Sequence, residues 1–99
     1  MVGILIARNG KLRDEIYKIH DGENVLGRAA GAEICIDSRE DSISREHCTI
    51  IHESGHFGVK PLKDTNPTFL NDEPVTGGAA LTDGDEIRAG DTTFKFRVV

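Results

Sequence analysis

Residues 93–98 alternate strictly: Phe94, Phe96 and Val98 fall on one face, and Thr93, Lys95 and Arg97 on the other. A period of two is what a strand with one buried face requires. Cys48 with Ile50, and Phe57 with Val59, offer further period-two pairs for a core. The remaining apolar residues come in short runs at 3–8, 15–20, 24–28, 33–36, 47–52, 57–62, 68–70 and 86–89. Gly, Asn and Asp interrupt these runs, and no long stretch carries a helical period. Asn9-Gly10 predicts a hairpin turn between the first two runs, and Ser54-Gly55, Asn71-Asp72, Asp83-Gly84 and Gly90-Asp91 predict further turns. The pattern predicts an all-β sandwich or barrel. In such a fold the loops gather at the ends of the sheets, so residues distant in sequence can converge there.

Composition narrows the class. A chain of 99 residues predicts one domain, spanning 1–99. At 37% hydrophobic and 29% charged it matches an ordinary soluble globular protein. No apolar run approaches the roughly 20 residues that span a bilayer. The start, Met1 to Arg8, is apolar but short and lacks a basic leader, so it reads as a first strand. A net charge of −5 argues against nucleic acid or an anionic membrane as partner, because both need a cationic surface. Cys35 and Cys48 both lie in apolar runs and are expected to be buried free thiols. That usage favours an intracellular, cytoplasmic setting.

The candidate chemistry sits between the strands. Ser44-Arg45-Glu46-His47 follows Gly27-Arg28 and precedes Thr65-Asn66, which puts guanidinium, hydroxyl and amide donors in three separate loops. Such a set suits a tetrahedral oxyanion: an arginine fork matches phosphate bidentately, and Ser and Asn add neutral donors. Ser44 and His47 could instead suggest a nucleophile and base, but no third orienting group and no strand-to-helix nucleophile elbow accompanies them. The glycine-rich stretch 27–31 lacks the Gly-Lys-Ser/Thr that completes a P-loop. His52 and His56 flank a turn, with no neighbouring ligand cluster for zinc. Asp37, Glu40 and Asp41 lack calcium-loop spacing and read as a solvated acidic loop. No metal or cofactor is expected.

Taken in order, Gly27-Arg28, 33–36 (Glu-Ile-Cys-Ile), Ser44-Arg45-Glu46-His47, 64–71 (Asp-Thr-Asn-Pro-Thr-Phe-Leu-Asn) and 81–87 (Leu-Thr-Asp-Gly-Asp-Glu-Ile) resemble the forkhead-associated (FHA) domains. The resemblance implies a two-sheet β-sandwich of about eleven short, mostly antiparallel strands, as in FHA and SMAD domains. It implies a non-catalytic module that binds phosphothreonine in a partner, placed there by an upstream Ser/Thr kinase. By resemblance Arg28, Ser44, Arg45, Thr65 and Asn66 bind the phosphopeptide, and Gly27, His47 and Asn71 support the site structurally. One departure stands out. Family members commonly carry glycine after the peptide-binding asparagine, whereas this chain has Asn66-Pro67. Proline fixes φ and biases Asn66 toward extended backbone, so the loop is expected to take another path and the site to bind more weakly. The alternative is that its rigidity holds Asn66 in its bound geometry before the ligand arrives. The same departure keeps a second reading open, a phosphate-independent assembly module that docks through a sheet face.

Overall fold

The computed structural model describes residues 1–99 and forms two packed β-sheets. Eleven strands run in chain order: β1 (Gly3–Ala7), β2 (Ile16–Ile19), β3 (Gly22–Gly27), β4 (Ile34–Cys35), β5 (Cys48–Glu53), β6 (His56–Pro61), β7 (Thr68–Leu70), β8 (Glu73–Pro74), β9 (Ala79–Leu81), β10 (Glu86–Ala89) and β11 (Thr92–Val98). One sheet has the order β2-β1-β11-β10-β7-β8 and the other β4-β3-β5-β6-β9. Every pairing with a defined register is antiparallel except β3 with β4. The all-β sandwich expected from the sequence is the fold observed.

Alternation explains the core. Leu5 and Ala7 of β1, Phe94 and Phe96 of β11, and Ile87 and Ala89 of β10 point inward from the six-stranded sheet and are fully buried. Leu26, Cys48, Ile50 and Val59 meet them from the other sheet. Phe57 packs edge-on against Phe96, with ring centroids 4.9 Å apart, and ties the two layers together. Val98 continues the inward parity but lies at the strand end, where it is exposed.

Two local expectations change, and two strands appear that the sequence did not announce. Asn9-Gly10 does not form a two-residue hairpin; a 3-10 turn at Gly10–Leu12 joins β1 to β2, and Asn9 instead bonds across to the β10–β11 turn. Cys35 is exposed, because it alternates between the buried Ile34 and Ile36; only Cys48 is buried, and neither is in a disulfide. Burial pushes the Cys48 thiol up to about 12, against a smaller lowering by the Thr68 hydroxyl. Strands β8 and β9 are too short for an alternation to announce them, and Pro74 sits on the edge strand, where its missing N–H is harmless.

Candidate functional site

The connections 28–33, 36–47 and 62–67 leave the sandwich at one end, together with the β10–β11 turn. Gly27 decides how they meet. It closes β3 and is buried, and a Cβ placed there would stand 2.0 Å from the Arg45 carbonyl oxygen. With no side chain at 27, the 43–47 segment lies directly across the strand end. The Arg28 N–H donates to Ser44 O (3.2 Å), the Ala29 N–H to Arg45 O (2.9 Å) and the His47 N–H to Leu26 O (2.8 Å). The Arg28 side chain joins this ladder through Nε, which donates to Ile43 O. Its two terminal nitrogens hold no protein partner, so the outer edge of the fork is available to a ligand.

His47 is fully buried beneath this segment and joins two loops. Its Nδ1 accepts from the Ser44 N–H (3.2 Å), which places the ring proton on Nε2, facing Pro67 O at 3.4 Å. Burial holds the imidazole below its ordinary pKa, partly opposed by the Pro67 carbonyl, so the neutral ring is favoured. Both nitrogens are committed to backbone groups, and neither bonds Ser44 Oγ.

Asn66 closes the third side. Its Nδ2 donates to Ser44 Oγ (2.9 Å) and to Ser42 O (2.9 Å). Both amide protons are therefore used within the protein, and Oδ1 remains free to accept from a ligand backbone. Ser44 Oγ accepts from Asn66 and keeps its own proton to donate. Pro67 fits this path: Asn66 has no positive φ, and the proline carbonyl is the group that His47 holds.

The structure thus brings Arg28, Ser44 and Asn66 together, with Gly27 and His47 beneath them. Arg45 and Thr65 are exposed beside them, their side chains without protein partners. Asn71 is elsewhere. It lies at the opposite end of β7, where Asn71 and Asp72 both have positive φ (49° and 71°) and turn the chain into β8. Its amide accepts from the Glu86 N–H (2.9 Å) and donates to Asp85 (3.1 Å), so it supports the fold and touches none of the loop residues. Glu40, read as part of a solvated acidic loop, is buried and accepts from Ser42 Oγ at 2.6 Å. The run Asp37 to Asp41 carries no alternation that could have revealed this.

The donors line neither concavity of the surface. The larger, about 560 Å³, is walled by Lys11, Leu12, Asp37, Arg39 and Glu40, and the smaller, about 210 Å³, lies beside Pro67 and Val75. The donors stand instead on the rim of the loops, where an extended segment can lie. No group of three His, Cys, Asp or Glu side chains is placed to hold a metal ion, and no helix is long and apolar enough to cross a membrane.

Known proteins share this fold. The chain is 30% identical over 96 residues to the glycogen accumulation regulator GarA of Mycolicibacterium smegmatis, covering 97% of this chain and 56% of GarA. It superposes with a TM-score of 0.84 on Mycobacterium tuberculosis EmbR in complex with a low affinity phosphopeptide, at 25% identity over 98% of this chain and 24% of that one. The FhaA FHA domain, in complex with the intracellular domain of Rv3910, gives a TM-score of 0.81 at 29% identity, covering 96% of this chain and 99% of that one. The chain therefore spans little more than half of GarA and a quarter of EmbR. A family model for the FHA domain matches residues 24–90, well over half of the sequence and all three loops that carry Arg28, Ser44 and Asn66, and the chain belongs to the FHA domain family.

Proposed function

We propose that this domain is a phosphothreonine-binding module, capturing a phosphorylated extended segment of a partner protein for signalling or regulated assembly. One observation carries the reading: Arg28, Ser44 and Asn66 reach one place from three loops, yet each keeps an outward polar group unspent. A phosphothreonine carries about −1.5 to −2 charges at neutral pH and three strong acceptor oxygens. The free edge of the Arg28 fork and the Ser44 O–H supply charge-assisted bonds to it. Exposed Arg45 and Thr65 add donors at the rim, and Asn66 Oδ1 accepts from the backbone of the bound segment. No metal or cofactor is needed.

The relatives support this chemistry, since EmbR has been captured with a phosphopeptide and FhaA with the intracellular domain of a partner. Catalysis by Ser44 and His47 finds no support in the geometry. A general base must reach the nucleophile's proton, and both His47 nitrogens already serve backbone groups. We therefore read the domain as non-enzymatic. Its partner is a threonine-phosphorylated protein, which implies a Ser/Thr kinase upstream. Any preference for threonine over serine rests on space for one methyl, worth roughly 1–3 kcal/mol.

The test is a degenerate phosphothreonine peptide library screened against its unphosphorylated twin. Selective retention of phosphorylated sequences is expected. Equal retention of both would transfer the domain to the phosphate-independent assembly class.

A further inference from the structure

Ser42 carries no phosphate-facing group, yet every polar atom it has is engaged. Its carbonyl accepts from Asn66 Nδ2 (2.9 Å), its hydroxyl donates to Glu40 Oε1 (2.6 Å), and the same hydroxyl accepts from the Asp91 N–H (2.9 Å). Its own N–H points to Glu40 as well (3.4 Å). Glu40 is only 6% exposed, and its Oε1 is committed to Ser42.

The neighbour on the far side is the β10–β11 turn. Gly90 has φ of +57°, and a Cβ there would lie 2.4 Å from Ser42 O and 2.5 Å from Ser42 Oγ. The turn is held in turn from behind: Asn9 Nδ2 donates to Asp91 O (3.2 Å), and Asn9 Oδ1 accepts from the Thr93 N–H (2.9 Å). Arg88 adds a bond to Gly90 O (3.3 Å) and stacks over Phe69 at 4.0 Å. An unbroken set of contacts thus runs from the six-stranded sheet through Gly90-Asp91 and Ser42 to the amide of Asn66.

We infer that the β10–β11 turn is a fourth element of the phosphopeptide site, acting through Ser42 and Glu40 as positioning residues for Asn66 and Ser44. Neither residue touches the ligand. Their work is to fix Ser42 O, which orients the Asn66 amide so that its second proton meets Ser44 Oγ and its oxygen faces outward. Prepaying that order before the ligand arrives is how a preorganised loop gains affinity. The inference rests on the proposed phosphopeptide function only where affinity is the readout.

The test uses the whole domain and two independent readouts. The first is the Asn66 side-chain amide in the ligand-free protein, followed by proton exchange in NMR. Ser42→Ala and Glu40→Ala are expected to speed this exchange, while Glu40→Gln, which keeps an acceptor for Ser42 Oγ, is expected to restore the wild-type rate. The second is affinity for the best library-selected phosphothreonine peptide. One lost hydrogen bond converts to a loss of roughly three- to tenfold for Ser42→Ala. In the Ser42→Ala background, Asn66→Ala should then cost much less than in the wild type. Unchanged Asn66 amide exchange in Ser42→Ala would overturn the inference, and so would strictly additive losses in the Ser42/Asn66 cycle. A wild type that binds no phosphopeptide would sink the proposed function instead, while the amide exchange would still decide whether Ser42 positions Asn66.

Discussion

At the far end of the sandwich, Asn71, Thr82, Asp83 and Asp85 spend their polar atoms on the turns and strand ends beside them. Asn71 bridges to the Glu86 N–H and Asp85, Asp85 accepts from the Thr82 N–H, and Asp83 accepts from the Val98 N–H and Arg97 Nε. At the loop end, Ser44, His47 and Asn66 reach across from one loop to another, and Arg28 and Ser44 still keep donors unspent. Both ends use Asn, Asp, Ser and Gly. The difference lies in the sign of what remains after the protein has satisfied itself: solvent-facing carboxylate acceptors at one end, and free donors on Arg28 and Ser44 at the other. A binding site of this kind is a loop cluster that is over-determined from within and under-used from without.

Breaking the loop end at its base should have the largest effect. Gly27→Ala would force a methyl group to within 2.0 Å of the Arg45 carbonyl, a backbone atom that cannot rotate away. Overpacking of this kind costs roughly 1–3 kcal/mol and more where backbone must move. We expect a lower melting temperature together with loss of phosphopeptide binding, read by thermal unfolding and calorimetry.

His47→Ala removes one residue that serves two loops. Leaving the Ser44 N–H and Pro67 O without their partner should cost on the order of 2–3 kcal/mol in chemical denaturation and weaken binding in parallel. The same residue gives a pH signature. Its folded pKa lies below the ordinary 6.5, so the unfolded chain takes up the proton first. The His47 contribution is therefore intact above about pH 6.5 and is lost as the pH falls through the folded value. Stability of the peptide-free wild type should drop through that window, and the drop should shrink in His47→Ala. Measuring without peptide avoids the phosphate's own titration near pH 6.

Pro67→Gly sharpens the comparison within one loop. The sequence suggested that proline weakens the site, but the loop it forms hands its carbonyl to His47 and leaves Asn66 already seated on Ser42 and Ser44. Glycine would restore freedom to that segment, worth roughly 0.4–1 kcal/mol, so a two- to fivefold weaker affinity is expected by calorimetry. Asn71→Ala is the smallest change and the control from the far end. It should lower stability by about 1 kcal/mol and leave phosphopeptide affinity unaltered.

The sandwich was legible because its strands alternate, as in Phe94 and Phe96, and because Asn71-Asp72 and Gly90-Asp91 mark real turns. That Arg28, Ser44 and Asn66 would converge from three loops was legible through the order of their motifs. What stayed hidden were contacts between elements far apart in the chain. Asn9 reads as a hairpin residue from its glycine neighbour, yet its amide serves Asp91 and Thr93, over 80 positions away. Glu40 reads as a surface acid, because nothing in Asp37 to Asp41 tells which carboxylate will be turned inward toward Ser42. Even Gly27 is needed for a reason its local sequence does not carry: it makes room for the Arg45 backbone rather than for a tight turn.

The central claim is that the free edge of the Arg28 fork captures phosphate, and one titration tests it most directly. The best library-selected phosphothreonine peptide and its unphosphorylated form are titrated calorimetrically into the wild type and Arg28→Ala. A hydrogen bond to a charged group contributes about 1.5–3 kcal/mol, and two can act together, so Arg28→Ala should bind the phosphopeptide roughly tenfold to a few hundredfold more weakly. Arg28→Lys should recover only part of that loss, since an ammonium offers neither the fork nor the bond to Ile43. The unphosphorylated peptide should bind neither protein measurably. Equal affinity of the wild type and Arg28→Ala for the phosphopeptide would contradict the account.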